Sequence, residues 1–181
     1  MLSEFTERRR SERGFSLLEM MLATVILLVG LIAIAQLVPA TILLNFRNRT
    51  DSSALVFAQR ELDQFLDQPL ISTSFTDAFG NMCNLGNPAA PNTVLPNNST
   101  VIVINNQPLI NFNAAPVTNY SFTFQDSTDP SGTTYDVRWA VIITGNGSAS
   151  SVFSKRFILG VRQQGGSGYF QPITLDTTVE K

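Results

Sequence analysis

The chain has 181 residues, 44% of them apolar, which suits one domain with an appendage and leaves enough material for a core. Only 14% are charged, well below the roughly 25% of an ordinary soluble domain, and the net charge of −2 argues against a nucleic-acid binder. With no histidine and one cysteine, the Ser-His-Asp and Cys-His nucleophile systems, imidazole metal sites, CxxC sites and an internal disulfide all drop out.

The hydrophobicity is concentrated near the N-terminus. Residues 15–38 read FSLLEMMLATVILLVGLIAIAQLV, in which Glu19 is the only charge. As a helix this run is about 36 Å long, enough to span the roughly 30 Å hydrocarbon layer of a bilayer with some tilt. Arg8, Arg9, Arg10 and Arg13 precede it, whereas Arg47 and Arg49 are the only nearby arginines after it. That bias puts the N-terminus in the cytoplasm and the bulk of the chain across the membrane. A secretory signal peptide is the competing reading, with Val38, Pro39 and Ala40 as a cleavage point and Thr41 as the mature start. Against it, the apolar run exceeds the usual 7–15 residues of such a signal, and it holds a carboxylate. An ionisable group in a membrane helix is a functional hypothesis by default.

The segment Arg13-Gly14-Phe15-Ser16-Leu17-Leu18-Glu19, continuing as MMLATVILLVGLIAIA, resembles the class III signal of type IV pilins and pseudopilins. The resemblance covers about 25 residues closely and rests on coinciding features: the arginines, the glycine, the phenylalanine, the glutamate at fixed spacing and the unbroken apolar run. It implies cleavage by a prepilin peptidase between Gly14 and Phe15, N-methylation of Phe15, and a role for Glu19 as the fifth residue of the mature chain. The physics agrees. The freed amine and Glu19 are one helical turn apart, and a carboxylate near a helix N-terminus is favoured by the macrodipole. In a bundle of such helices Glu19 can neutralise a neighbour's amine, removing an uncompensated charge from a dry core.

Farther along, Pro39 is expected to interrupt or kink the helix, with Thr50, Asp51 and Ser52 able to cap a restart. Leu55, Ala58, Leu62, Phe65 and Leu66 follow helical spacing, leaving Arg60, Glu61, Asp63 and Asp67 to solvent, and Pro69 ends the pattern. Helical throughout, residues 15–68 would make a rod about 80 Å long. Residues 78–125 contain no charge and are punctuated by Asn, Pro and Gly, which is loop chemistry. They suit either a contact with a neighbouring subunit or a solvated loop. Within them, 101–104 and 109–112 flank Asn105, Asn106, Gln107 and Pro108 as a hairpin. Tyr120, Phe122 and Phe124 alternate with polar residues. Tyr135, Val137, Trp139, Val141 and Ile143 form one strand face, residues 145–148 turn the chain, and Phe157, Leu159 and Val161 alternate on the next strand. A last strand spans 169–179, with Pro172 suggesting an edge. The period of two predicts an antiparallel sheet with one face buried.

The expected fold is therefore α+β: a long N-terminal membrane-spanning helix packed on an antiparallel β-sheet, the type IV pilin-like architecture. Its divisions are a leader at 1–14, a transmembrane and assembly helix at 15–38, an amphipathic continuation at 39–68 and a periplasmic sheet domain at 69–181. The segments YDVRWAVIITG and VFSKRFILGVRQQ resemble, more loosely, the C-terminal hairpin of V-type minor pilins, the type IV pilus modification proteins. One departure is that Cys83 has no partner for the disulfide that closes a C-terminal loop in many pilins.

No catalytic spacing is present, so no enzyme, metal or cofactor is expected. Asp126 and Asp129, in QDSTDPSG, sit in turn chemistry rather than a calcium loop, which would need a terminal glutamate. Cys83, with no base near it in sequence, reads as a small buried apolar residue. Sequons occur at Asn48, Asn97, Asn98, Asn119 and Asn146 and need no glycan in a bacterial-looking export context. Lys155, Arg156 and Arg162 are the main basic residues of the sheet region and read as solvent-facing strand positions, not a phosphate groove. The resemblance implies an inner-membrane protein, N-terminus cytoplasmic and C-terminal domain periplasmic, that enters a type IV pilus and primes or modifies it. Its partners would be the prepilin peptidase, the pilus assembly platform, and other major and minor pilins through the helix. A pseudopilin of type II secretion is the near alternative; a membrane-anchored or secreted periplasmic binding domain is the distant one.

Overall fold

A computed structural model describes residues 16–125, 132–148, 151–164 and 172–180. It has an α+β architecture, with one long helix α1 (Leu17–Leu66) and nine strands among the described residues. Its contacts divide the chain into two units, one ending at Arg47 and the other starting at Asn48.

Helix α1 runs through Pro39 without a break, contrary to the expectation of an interruption there. Pro39 withholds a single N–H from the ladder, and in an apolar run the helix remains the conformation that satisfies the other backbone groups internally. The restart cap is correspondingly unused. Ser52 lies inside the helix and donates its hydroxyl back to the Asn48 carbonyl at 2.8 Å. The helix ends just ahead of Pro69, which disfavours the helical conformation in the residue before it.

In the second unit the buried helix stripe is Ala54, Phe57, Ala58, Glu61, Leu62 and Phe65. This is helical spacing, and Ala58, Leu62 and Phe65 are buried as expected; Leu55 is exposed and Leu66 half-buried, Ala54 and Phe57 join the stripe, and Glu61 points inward instead of to solvent. The stripe covers a five-stranded antiparallel sheet in which β7 (Thr134–Gly145) pairs β8 (Val152–Gln164), and β8 pairs β9 (Ile173–Glu180). The other side of β7 pairs β3 (Val94–Leu95) and β6 (Ser121–Gln125). Strand β9 is an edge, and Pro172 stands just before it, where its missing N–H costs no ladder bond. Tyr135, Val137, Trp139, Val141 and Ile143 of β7 join Phe157, Leu159 and Val161 of β8 under the helix, as their alternation predicts.

The opposite face of the sheet is covered as well, where alternation alone predicted solvent. Ala140 and Ile158 pack with Ile110 and Phe112 in a second apolar cluster. The charge-free stretch supplies this cover. It holds the expected hairpin, β4 (Val101–Ile104) with β5 (Gln107–Ile110), and the alternating strand β6, and adds strands β2 (Met82–Asn84) and β3. That hairpin is tighter than expected. Its loop is Asn105-Asn106 alone, with φ of 50° and 63°, so both residues are left-handed as a type I′ turn requires. A separate two-stranded sheet joins β1 (Ser74–Thr76) to β2.

Gly160 of β8 allows the second layer to approach. A Cβ there would lie 2.6 Å from Ile110 Cβ and 3.0 Å from Phe112 Cε2. Gly160→Ala is expected to lower stability by about 1–3 kcal/mol through overpacking, read as a fall in the urea midpoint at unchanged slope.

Candidate functional site

The candidate site is the start of α1. Gly14 and Phe15 lie outside the described residues. Glu19 sits in the first helical turn, where its amide and that of Met20 donate to the Ser16 carbonyl at 2.9 and 3.1 Å. From Leu17 to Asn45 the helix is long and apolar enough to cross a membrane, about 44 Å by its rise. Its large apolar side chains up to Leu44 are 51–79% exposed. Thr24 and Thr41 add no free hydroxyl, since each donates within the helix, to Met21 and Leu37 carbonyls at 2.8 Å. A helix apolar on every side is covered by lipid or by other helices. Glu19 is the one carboxylate on it, so it is the one group that can pair a cation there.

In the sheet unit, the other candidate residues are tied into the fold. Lys155 is buried, not solvent-facing: it is 2% exposed and its ammonium donates to the Ser72 carbonyl. Burial pushes its pKa down to about 8. Arg156 pairs Asp176 on the neighbouring β9, with Nε 2.9 Å from Oδ1. Arg162 stacks 4.7 Å from the Phe112 ring centroid and reaches Asp136 at 3.4 Å. The Arg156–Asp176 pair is exposed, as expected of a solvent-facing strand position, whereas Lys155 and Arg162 serve internal contacts. Cys83 is fully buried and burial pushes its thiol pKa up to about 12, the behaviour of a core residue and not of a nucleophile. Asp126 and Asp129 lie outside the described residues.

Two buried charged groups escaped the sequence reading. Asp136 and Arg138, on the second face of β7, form a fork-like pair with Nε and Nη2 at 2.8–3.1 Å from the carboxylate. Arg138 Nη1 also donates to the Ala114 carbonyl at 2.6 Å, pinning the loop after β5. The signal available was their i, i+2 spacing in an otherwise apolar strand. Glu61 is the other, and its signal was its place in the stripe 54, 57, 58, 61, 62, 65.

A family model, described as the prokaryotic N-terminal methylation motif, matches residues 9–35. No curated protein matches the chain, and no solved structure does. The matched residues include Gly14, Phe15 and Glu19 and most of the apolar run. The chain thus carries the methylation motif that marks type IV pilin-like and pseudopilin proteins, at the head of a long apolar helix that leads into an α+β domain.

Proposed function

We propose that the chain is the precursor of a minor pilin-like subunit that takes part in assembling a type IV pilus, priming or modifying the filament. The observation that carries this is the methylation motif at 9–35 on a helix whose large apolar side chains are exposed all round from Leu17 to Leu44. Residues 1–14 are the leader, cut from Phe15 by a prepilin peptidase that then methylates the new amine. Residues 15–38 anchor the precursor in the inner membrane with the arginines on the cytoplasmic side, and later pack among the helices of other pilins. Residues 39–68 continue the helix, and 69–181 form the periplasmic domain. Glu19 offsets the amine of a neighbouring Phe15 in the apolar filament core. Exposed Ile102, Val103 and Ile104, in a segment free of charge, suit a contact with another subunit.

The test is intact-mass and N-terminal peptide analysis of membrane-extracted protein co-expressed with a prepilin peptidase. The expected chain begins at Phe15 and carries one added methyl group. A start at Thr41, or an uncut precursor beside active peptidase, overturns the reading. A pseudopilin would be processed identically, so deletion of the gene separates the two: loss of surface filaments supports the pilus role, loss of protein secretion the type II role.

A further inference from the structure

The β1–β2 hairpin closes against the inner stripe of α1 around a carboxylate that has no counter-charge. Glu61 is fully buried, and its Oε2 has no hydrogen-bond partner. Its Oε1 accepts only from Gln64 Nε2, at 3.0 Å. The Gln64 side-chain oxygen in turn accepts from the Ala78 amide at 2.8 Å, so a single side chain links Glu61 to the hairpin tip. The tip carries Asp77, 5% exposed. That carboxylate is committed elsewhere: it accepts from the amides of Phe79 and Asn81 at 2.9 and 2.7 Å and from Asn81 Nδ2 at 2.8 Å.

The groups that face Glu61 from the hairpin carry no cation to balance it. Asp77 comes from the tip and Cys83 from β2. Arg60, on the helix itself, lies with its guanidinium 4.7 Å from the Phe79 ring centroid, a surface cation–π contact. Burial and then Asp77 push the pKa of Glu61 up to about 7, and the Gln64 hydrogen bond and Arg60, which favour the ionised form, offset only part of this.

We propose that Glu61 is a proton-operated clasp: protonated, it lets the β1–β2 hairpin seat on α1; ionised, it drives the hairpin tip off the helix and opens Cys83 to solvent. An ionised Glu61 without a partner is costly in this interior, and relief requires either the helix or the hairpin to move. The helix is the firmer body. Phe57 stacks on Phe124 at 4.0 Å, and Phe65 packs edge-on to Trp139 at 5.2 Å and against Phe157 at 5.7 Å. The hairpin is the smaller body, a two-stranded sheet of three-residue strands held by Phe75 on Phe65 at 5.6 Å, by Phe79 on Phe124 at 4.8 Å and by the Trp139 indole on the Asn84 carbonyl. The movement therefore falls on the hairpin, which carries Cys83 in its second strand.

Cys83 is the only cysteine, so its reactivity reports the clasp. The full chain in detergent is labelled with a disulfide reagent such as dithiodipyridine, and each rate is divided by that of the denatured chain at the same pH. This removes the intrinsic titration of the thiol. For a group that moves from a pKa of about 7 when docked to its usual 4.5 when released, linkage predicts that opening rises on the order of seventyfold between about pH 5 and about pH 8.5. Glu61→Gln keeps the shape and cannot ionise, and its normalised rate is expected to stay flat. A flat wild-type rate overturns the proposal, as does an equal rise in wild type and Glu61→Gln. If Glu61→Gln does not fold, Glu61→Met serves as the second variant, and hydrogen exchange at the Ala78 amide in wild type gives an independent readout. Exchange protection that does not fall as pH rises through about 7, after correction for intrinsic rates, also overturns it.

Discussion

Truncating Trp139 to alanine is expected to cost about 3–5 kcal/mol, the range for removing a large aromatic side chain from a packed core. Trp139 is fully buried at the centre of the sheet. Phe65 of the helix lies 5.2 Å away, Phe122 5.9 Å and Tyr120 6.0 Å, centroid to centroid. Its indole N–H donates to the Asn84 carbonyl at 2.8 Å, so the same side chain fastens β2 to the main sheet. The alanine variant leaves a cavity between three elements and removes a donor from a backbone carbonyl. Against a typical stability of roughly 5–15 kcal/mol, that loss is enough to leave much of the population unfolded at moderate temperature. Because Trp139 is the only tryptophan, unfolding is followed by circular dichroism instead of tryptophan fluorescence. Trp139→Phe separates the contributions. It keeps most of the apolar bulk and gives up the hydrogen bond, so it should cost markedly less. An alanine variant within about 1 kcal/mol of wild type would mean that the helix–sheet core is not organised around this residue.

The parts of the fold legible in the sequence were those where one periodicity acts alone. In β7 and β8 the alternation of Tyr135 to Ile143 and of Phe157 to Val161 assigns the face that meets the helix. It says nothing about a second layer. Ala140 and Ile158 occupy the outward register and are covered because a hairpin from an Asn-rich, charge-free segment folds over them. The hairpin of that segment is legible from its apolar flanks but its bounds are not: Asn105 and Asn106 are the whole of a two-residue turn, so Gln107 and Pro108 belong to β5. Glu61 and Lys155 were misplaced for a related reason. Charge suggests exposure, but position on an inward face decides burial for both, and hydrogen bonds, local to Gln64 for Glu61 and long-range to Ser72 for Lys155, offset part of the cost. Pro39 suggests an interruption or kink because proline usually ends a helix in water, a rule that weakens where no alternative backbone partner is present.

The candidate site followed a different logic. Gly14, Phe15 and Glu19 were recognised as a spaced pattern at a polar-to-apolar junction, and the match over residues 9–35 covers all three. Among the described residues Glu19 lies on an exposed helix with no ion-pair partner, and in the proposed function the cation it meets belongs to a mature neighbour. That makes its role a question about assembly and not about the fold.

Replacing Glu19 by leucine is therefore expected to leave folding and processing largely intact and to impair entry into the filament. The substitution makes the helix more apolar, so membrane insertion does not suffer. The sheet unit begins at Asn48 and its buried helix stripe at Ala54, so its stability should be unchanged. What the variant lacks is a carboxylate for the amine that cleavage at Gly14 creates. Leaving one member of a buried ion pair alone costs about 3–5 kcal/mol, and even the lower figure is a factor of about a hundred in occupancy. The measurement is a comparison of two fractions in a strain expressing the filament system: mature, methylated subunit in membranes, and subunit in sheared filaments. The expected variant has the wild-type amount of the first and about a hundredth of the second. Glu19→Gln refines the result, since it retains a polar group of the same size without the charge. If it fails as leucine does, charge is the operative property; if it assembles like wild type, hydrogen bonding suffices. Wild-type incorporation of Glu19→Leu would remove the pairing role altogether and leave the apolar surface of α1 as the sole driving force for assembly.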